Sequence, residues 1–445
     1  SAQSIPGHGA MWVTPKASPW PKKCSAVRMF EPTSQPRVFG LAPGLDFPAM
    51  LVDGLRARLA DASPEQLARV EVIVNTRRMA RRLRDIFDAG PAGFLPRIHL
   101  LTGLDALIPQ ANLPAATPAL RRRLDLIQLV STLLDADGRL APRASLYDLS
   151  DSLAKLIDEM QGEGVSAANI AQLDVTDQSG HWERAQQFFD IAQRYLSQTD
   201  SAPDAEARQR QLIQTLIAQW EVTPPAHPVI LAGSTGSRGT TAMLMQAVAR
   251  LPQGAVVLPG FDFDMPTAVW ADLDDALLSE DHPQYRFRHL MTALDLPKDA
   301  VTPWTTAPPP SAMRNKLVSL SLRPAPVTHA WLSEGPKLTG LEEATAEMTL
   351  VEAPSPRMEA LTIALRLRKA AQDGQTAALI TPDRMLTRQV TAALDRWNIL
   401  PDDSAGTPLH LSPPGRILRH VAGLFRTRLD AESLLTLLLL PLSHA

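Results

Sequence analysis

The stretch VILAGSTGSRGTTAML, residues 229–244, decides how the chain is read. Four apolar residues run into a loop of Gly, Ser and Thr, and a helix-like segment follows. Loops of this shape hold phosphate in many parallel sheets, because backbone N–H groups and a helix N-terminus converge on one point. A working phosphate loop also needs a Lys beside the terminal phosphates and a hydroxyl on Mg²⁺. Here Arg238 is the only cation and the GK[ST] ending is missing. A second turn of the same kind, VFGLAPGLDFPAML at residues 38–51, offers Gly40 and Gly44 but no Lys or Arg from 41 to 55. Neither turn can compensate a nucleoside triphosphate. Each also reads as a small-residue turn that starts a helix close to a sheet.

Around these turns the pattern alternates. RVFGLAP (37–43), RVEVIVN (69–75), PRIHLL (96–101), PVILAGS (228–234) and GAVVLPG (254–260) are short apolar runs, each followed by a helix-like segment. Apolar runs of this length separated by helices predict a parallel α/β sheet. Asp46 reads as the N-cap of the first helix, with Pro48 in its first turn. Residues 113–222 carry 3.6-residue periods instead: LRRRLDLIQLVSTLLDA, LYDLSDSLAKLIDEM, ERAQQFFDIAQRYL and EARQRQLIQTLIAQW. They predict a helical insertion. Prolines cluster at 303–310 and 324–336 and read as a linker. Beyond them MTLVEAPS, TAALITPD and RWNILPDD predict a second α/β unit, cut off at Ala445.

Composition narrows the function classes. The 445 residues carry 44 basic and 47 acidic side chains, a net charge of −3, so nucleic acid must be met by a local basic patch. The single cysteine, Cys24, excludes an internal disulfide framework, a cysteine-based zinc site and an iron–sulfur cluster within this chain, and fits a reducing cytoplasm. No apolar run reaches the ~18–20 residues of a membrane span. Residues 1–28 have no apolar signal-peptide core and read as a tag, a mis-assigned start or a disordered leader, with Met29 as the native start.

The clearest local patch is NTRRMARRLRDIF, residues 75–87. On a helical wheel Met79, Leu83, Ile86 and Phe87 share one arc, and Arg77, Arg78, Arg81, Arg82 and Arg84 occupy the other. Such a face suits a phosphodiester backbone, or it is a solvated face paired with nearby acids. LRRRLDL (120–126) is a second basic cluster. Asp262 and Asp264 in GFDFD have the i, i+2 spacing of a shared cation site or of a turn cap. The histidines, among them His99, His181, His282, His289 and His410, show no metal-ligand spacing, and no serine sits in G-x-S-x-G.

From about Met29 to the end the chain resembles the N-terminal half of the AddB subunit family of AddAB helicase–nucleases, in its alphaproteobacterial form. The words that carry the resemblance are VILAGSTGS, QGAVVLPGFDFDM, HPQYRFRHLM, ALITPDRMLTRQVTAALDRWNI and DDSAGTPL. It implies two P-loop NTPase-like (RecA-like, superfamily 1 helicase type) domains. The first covers 29–112 and 223–335 around a helical insertion at 113–222, and the second, 336–445, is truncated. It implies that Gly40 and Gly44 stand where an active helicase has its phosphate loop, and Ala232 and Gly233 where it has Mg²⁺-binding acids. With Arg238 these make a degenerate nucleotide site. VVLPGFDFD falls at a nucleotide-sensing motif but lacks its glutamine. Asn75, Thr76, Arg77, Arg78, Arg81, Arg82 and Thr102 fall where helicases touch DNA.

The partners implied are an AddA-type motor/nuclease subunit and single- or double-stranded DNA, with no membrane. No catalytic residue and no metal ligand is assigned. The family's iron–sulfur cluster and Mg²⁺ are expected only in a C-terminal nuclease that is not present, since LLTLLLLPL near the end matches the family's LLxLLxHPL with Leu440 in place of His. The expected role is a non-catalytic helicase-like scaffold in double-strand-break repair by homologous recombination. The alternatives are an active ATPase with a divergent site, or a pure protein-interaction module.

Overall fold

Strand formation follows the apolar runs, because an extended segment with two buried faces must pair its backbone on both edges. In the computed structural model six strands join one sheet: β1 Val38–Gly40, β2 Glu71–Val74, β3 Arg97–Leu100, β4 Val229–Ala232, β5 Gly254–Leu258 and β6 Thr302–Pro303. The structure describes residues 28–108, 113–136, 142–166, 169, 202–406 and 408–443. All pairings are parallel and the order is β3-β2-β4-β5-β1-β6. The chain divides into two compact units, residues 1–346 and 347–445.

Helices cover both faces of the sheet. On one side lie α1 (Phe47–Arg58) and α2 (Arg77–Asp88), whose Leu51, Val52, Leu55, Leu83 and Phe87 pack on Val72, Val74, Ile230, Ala232, Ala255 and Val257. On the other, α5 (Ala205–Val222), α6 (Gly239–Arg250) and α7 (Tyr285–Ala293) pack on Ile73, Val229, Leu231, Val256 and Leu258. Alternate residues of each strand thus enter opposite cores, as the period of two requires. Fully burying each Val, Leu or Ile contributes ~1.5–3 kcal/mol.

Within the predicted helical insertion, α3 (Ala119–Ala136) and α4 (Leu146–Glu163) share a small core of their own, Leu126, Val130, Leu134, Leu153 and Ile157. The helix expected at 206–220 differs. As α5 it buries Leu212, Ile213, Leu216 and Trp220 in the core of the sheet itself. The segment ERAQQFFDIAQRYL, with His181 near it, and the leader with Cys24 lie outside the described residues.

Two expectations are corrected. The proline cluster at 303–310 begins inside the fold, not in a linker: β6 pairs with β1, and Trp304 behind it is fully buried. Trp304 Nε1 donates to Leu51 O at 3.2 Å, and the Arg58 guanidinium lies 3.6 Å over its ring. The chain then forms α8 (Ala312–Ser321) before the second unit. In that unit the helices are α9 (Pro356–Gln372), α10 (Arg384–Asp395), α11 (Pro413–Leu424) and α12 (Ala431–Leu439). Its apolar runs do not pair into a sheet among the described residues. Leu379 and Ile399 pack against α9 and α10, while Leu350 and Ile380 stand exposed. The alternation of a strand is present there without the ladder partner that would make it one.

The contact between α1 and Trp304 makes a sharp test. A Cβ at Gly54 would lie 2.1 Å from Trp304 Nε1, and the indole is held by its N–H bond to Leu51 O and by Arg58 over its ring. Gly54→Ala is expected to destabilise the first unit by ~1–3 kcal/mol through overpacking. A lowered urea midpoint at unchanged m-value checks this; an unchanged midpoint contradicts it.

Candidate nucleic-acid interface and degenerate nucleotide site

In a parallel sheet the loops that follow the strands all emerge at the carboxyl edge, where ligands of doubly wound folds bind. The residues singled out at 40, 44, 75–82, 102, 232 and 233 all lie at this edge, in the last strand residues of β1 and β4 and in the loops and helix starts after β1 to β4.

The first turn is filled by the chain's own side chains. A Cβ at Gly40 would come within 2.8 Å of Phe261 and 3.0 Å of Phe263, so glycine there serves the close approach of two aromatic rings. Gly44 has φ +86° and faces Pro310, and Asn315 Nδ2 donates to Pro43 O at 3.1 Å. At the start of α1 the predicted cap forms: Asp46 accepts from the Ala49 N–H at 3.4 Å. A carboxylate therefore sits where a bound phosphate would meet the helix dipole. Its other oxygen is 3.4 Å from Arg82, so Arg82 is tied to this turn.

Gly233 has φ +77°, and the Phe47 ring and Asn75 Oδ1 lie 3.3 and 3.9 Å from where its Cβ would be. The structure thus brings Asn75, Phe47 and Gly233 together, next to Ala232 paired in register with Val74 and Val257. No carboxylate takes the place of Ala232 or Gly233 on this strand.

The Gly/Ser/Thr loop after β4 is occupied from outside. The Glu163 side chain, at the end of α4, accepts the Gly239 N–H at 2.9 Å, at the first turn of α6. Thr240 Oγ1 donates to Gly162 O at 2.7 Å, and Arg210 Nη1 donates to the same carbonyl at 3.0 Å. Arg238 reaches Glu206 of α5 at 2.5 Å. The negative C-terminus of one helix thus meets the positive N-terminus of another, with a carboxylate added. A cavity of ≈ 690 Å³ adjoins this joint. Its wall carries Asp158, Glu159, Glu163 and Glu280 against Lys155, Arg238 and Arg286. Acids outnumber cations there, which disfavours a triphosphate.

Asp262 and Asp264 resolve as a turn. Asp262 Oδ1 accepts the backbone N–H groups of Asp264 and Met265, both at 2.9 Å. Gln284, which sequence reasoning did not single out, bridges the same turn by accepting from Asp262 N and donating to Gly260 O. Buried Lys298 donates to Phe263 O at 3.0 Å and supplies the local positive charge. Burial, then the neighbouring Asp262 charge, pushes the Asp264 carboxyl above its ordinary value, and burial pulls Lys298 below its own. Among the described residues no group of three His, Cys, Asp or Glu side chains is arranged for a metal.

The basic helix emerges as expected. Thr76 caps α2 by accepting the Met79 N–H at 3.1 Å. Ala80, Leu83 and Phe87 are buried, while Arg77, Arg78, Arg81, Arg82 and Arg84 are exposed, as are Asn75, Thr76 and Thr102. The second basic cluster behaves differently. Arg121 faces Asp125, Arg122 is held between Asp158 and Asp204, and Arg123 makes a bidentate pair with Asp151 at 2.8 Å. All three arginines are spent inside the helical insertion. No described helix is long and apolar enough to cross a membrane.

Comparison with protein-family models gives no match for this chain, and comparison with curated proteins gives none either.

The Glu163 cap generates a discriminating pair of variants. Glu163→Ala removes the acceptor for Gly239 and is expected to cost ~0.5–2 kcal/mol, the usual penalty for losing an N-cap acceptor. Glu163→Gln keeps an acceptor oxygen and is expected to cost clearly less. Urea denaturation of both compares them; equal losses would remove the cap role.

Proposed function

We propose that this chain is a non-catalytic, helicase-like scaffold that binds DNA and works beside a separate motor subunit in double-strand-break repair. The observation that carries the reading is a contrast at one sheet edge. Both glycine turns are occupied by the protein's own groups, Asp46, Phe47, Phe261 and Glu163, while α2 next to them exposes five arginines.

The parallel, doubly wound six-stranded sheet is compatible with a RecA-like domain. A RecA-like assignment of residues 29–335 and the AddB-type parentage rest on the sequence resemblance. The second unit enters the reading through its helices, since its strand-like runs are unpaired. Without a Lys at either turn, and without an acid on β4, hydrolysis would have to come from the AddA-type partner. The scaffold's part is to hold a phosphodiester backbone against the carboxyl edge. Asn75 and Thr76 lie at the N-terminus of α2, where backbone N–H groups add to the arginines.

The test uses arginines one helical turn apart. Arg77→Gln/Arg81→Gln/Arg84→Gln is expected to weaken binding of a single-stranded oligonucleotide. It should also lower the slope of log K against log salt by about 2, at ~0.7 per phosphate contact. Anisotropy titrations across a salt series read both quantities. An unchanged slope would contradict the DNA role of α2.

A further inference from the structure

Strands β3 and β6 are the two edges of the six-stranded sheet, and only one of them is blunted. β6 is two residues long, and its Pro303 has no N–H to offer a further strand. β3 runs over Arg97–Leu100, with β2 on one side and no described strand on the other. The Arg97 N–H donates to Val70 O at 2.9 Å and the Leu101 N–H to Val74 O at 3.0 Å. Backbone groups alternate along a strand, so Ile98 and Leu100 turn theirs away from β2.

Four outward groups have no partner among the described residues: Ile98 N–H, Ile98 O, Leu100 N–H and Pro96 O. Pro96 is a buried residue, so a carbonyl left without a donor there is costly. Leu100 O is already in use, since it accepts the Gly103 N–H at 2.9 Å. An antiparallel strand covering this edge must therefore offer Leu100 a carbonyl and no N–H beside it. A peptide of general sequence would leave a donor facing the occupied carbonyl, an unmade bond that costs free energy.

A second copy of the same edge meets that condition. With a two-fold axis at Ile98, this residue and Ile98 of the copy exchange two N–H···O bonds. Leu100 then stands opposite Pro96 of the copy, whose carbonyl accepts the Leu100 N–H and whose nitrogen carries no hydrogen. The carbonyl already in use thus faces the residue without a donor. Side chains agree with this register. Ile98, on the α2 side of the sheet, meets its own counterpart, and Phe94 and Leu95, 53% and 38% exposed, fall beside residues 101–102 of the copy. On the other side Arg97 comes next to His99 of the copy. Both are bonded to Glu71 of their own chain, so pairing brings in no uncompensated charge.

We infer that this chain forms a two-fold homodimer by antiparallel pairing of β3 with β3 of a second copy, which joins two sheets into one. The inference goes beyond the nucleic-acid reading and does not rest on it.

Sedimentation equilibrium of the whole chain across the micromolar range is expected to show monomer and dimer in exchange. Ile98→Pro removes a donor from the outward side only, where an edge strand tolerates proline, and should raise the dimer Kd about tenfold or more. Ile98→Val keeps the donor and should leave the Kd within about threefold of the parent, since it alters one methylene. A folding defect in the proline variant would mimic the expected loss, so Ile98→Cys in a Cys24→Ser background supplies a second readout. Paired residues at the axis have Cα atoms ~5.5 Å apart, within disulfide reach, and mild oxidation should yield a covalent dimer. Leu332→Cys in the same background, 84% exposed but outside β3, should not. A monomer throughout the range, with no cross-link from Ile98→Cys, would overturn the inference. A dimer that Ile98→Pro leaves unchanged and Ile98→Cys fails to cross-link would overturn it too, because another surface would then hold the copies together.

Discussion

The C-terminal end of α4 sits on the N-terminal end of α6, and much of the first unit's behaviour depends on that joint. Gly239 donates to Glu163, Thr240 donates to Gly162, and Arg210 closes the carbonyl from the side. Opposed helix ends attract because their unsatisfied N–H and C=O groups carry partial charges of opposite sign. The helical insertion is thereby fixed to the helix that follows β4, and the N–H donor of Gly239 is taken up. The anion that meets this helix start is a carboxylate of the chain itself.

The remainder follows from how a parallel sheet must be covered. Strands β2, β4 and β5 are buried on both faces, so helices pack above and below and every strand-following loop is sent to one edge. Gly40 admits Phe261 and Phe263, Asp46 caps α1, and Phe47 covers Gly233. What stays open on that edge is the outward face of α2. Its apolar arc is used up by Ala80, Leu83 and Phe87, leaving the arginines to solvent. The six-stranded parallel sheet is compatible with a RecA-like domain, and the exposed arginines on its carboxyl edge suit a binding surface.

Much of this was legible in the residues. The apolar runs at 38, 71, 97, 229 and 254 became strands β1 to β5, and the predicted cap at Asp46 formed. These features are local, set by a few neighbouring residues. The errors came from long-range partners. Trp304 looked like part of a proline linker because its place is decided by Leu51 and Arg58, some 250 positions earlier. The arginines at 121–123 read only as a basic cluster, since their partners Asp151, Asp158 and Asp204 lie on later segments. Glu163 gave no signal at all, since a single glutamate at a helix end says nothing of which N-terminus it will meet. The strand-like runs of the second unit had the right alternation, but alternation cannot supply a ladder partner.

The central claim is that this sheet edge does not accommodate a nucleoside triphosphate. Isothermal titration of the whole chain with Mg·ATP addresses it most directly, carried into the millimolar range. The account predicts no saturable heat, and no change when Asp46→Ala or Glu163→Ala removes a resident carboxylate's charge without adding a lysine. A saturable isotherm with a Kd below about 0.1 mM, equivalent to more than ~5 kcal/mol of binding, would contradict it.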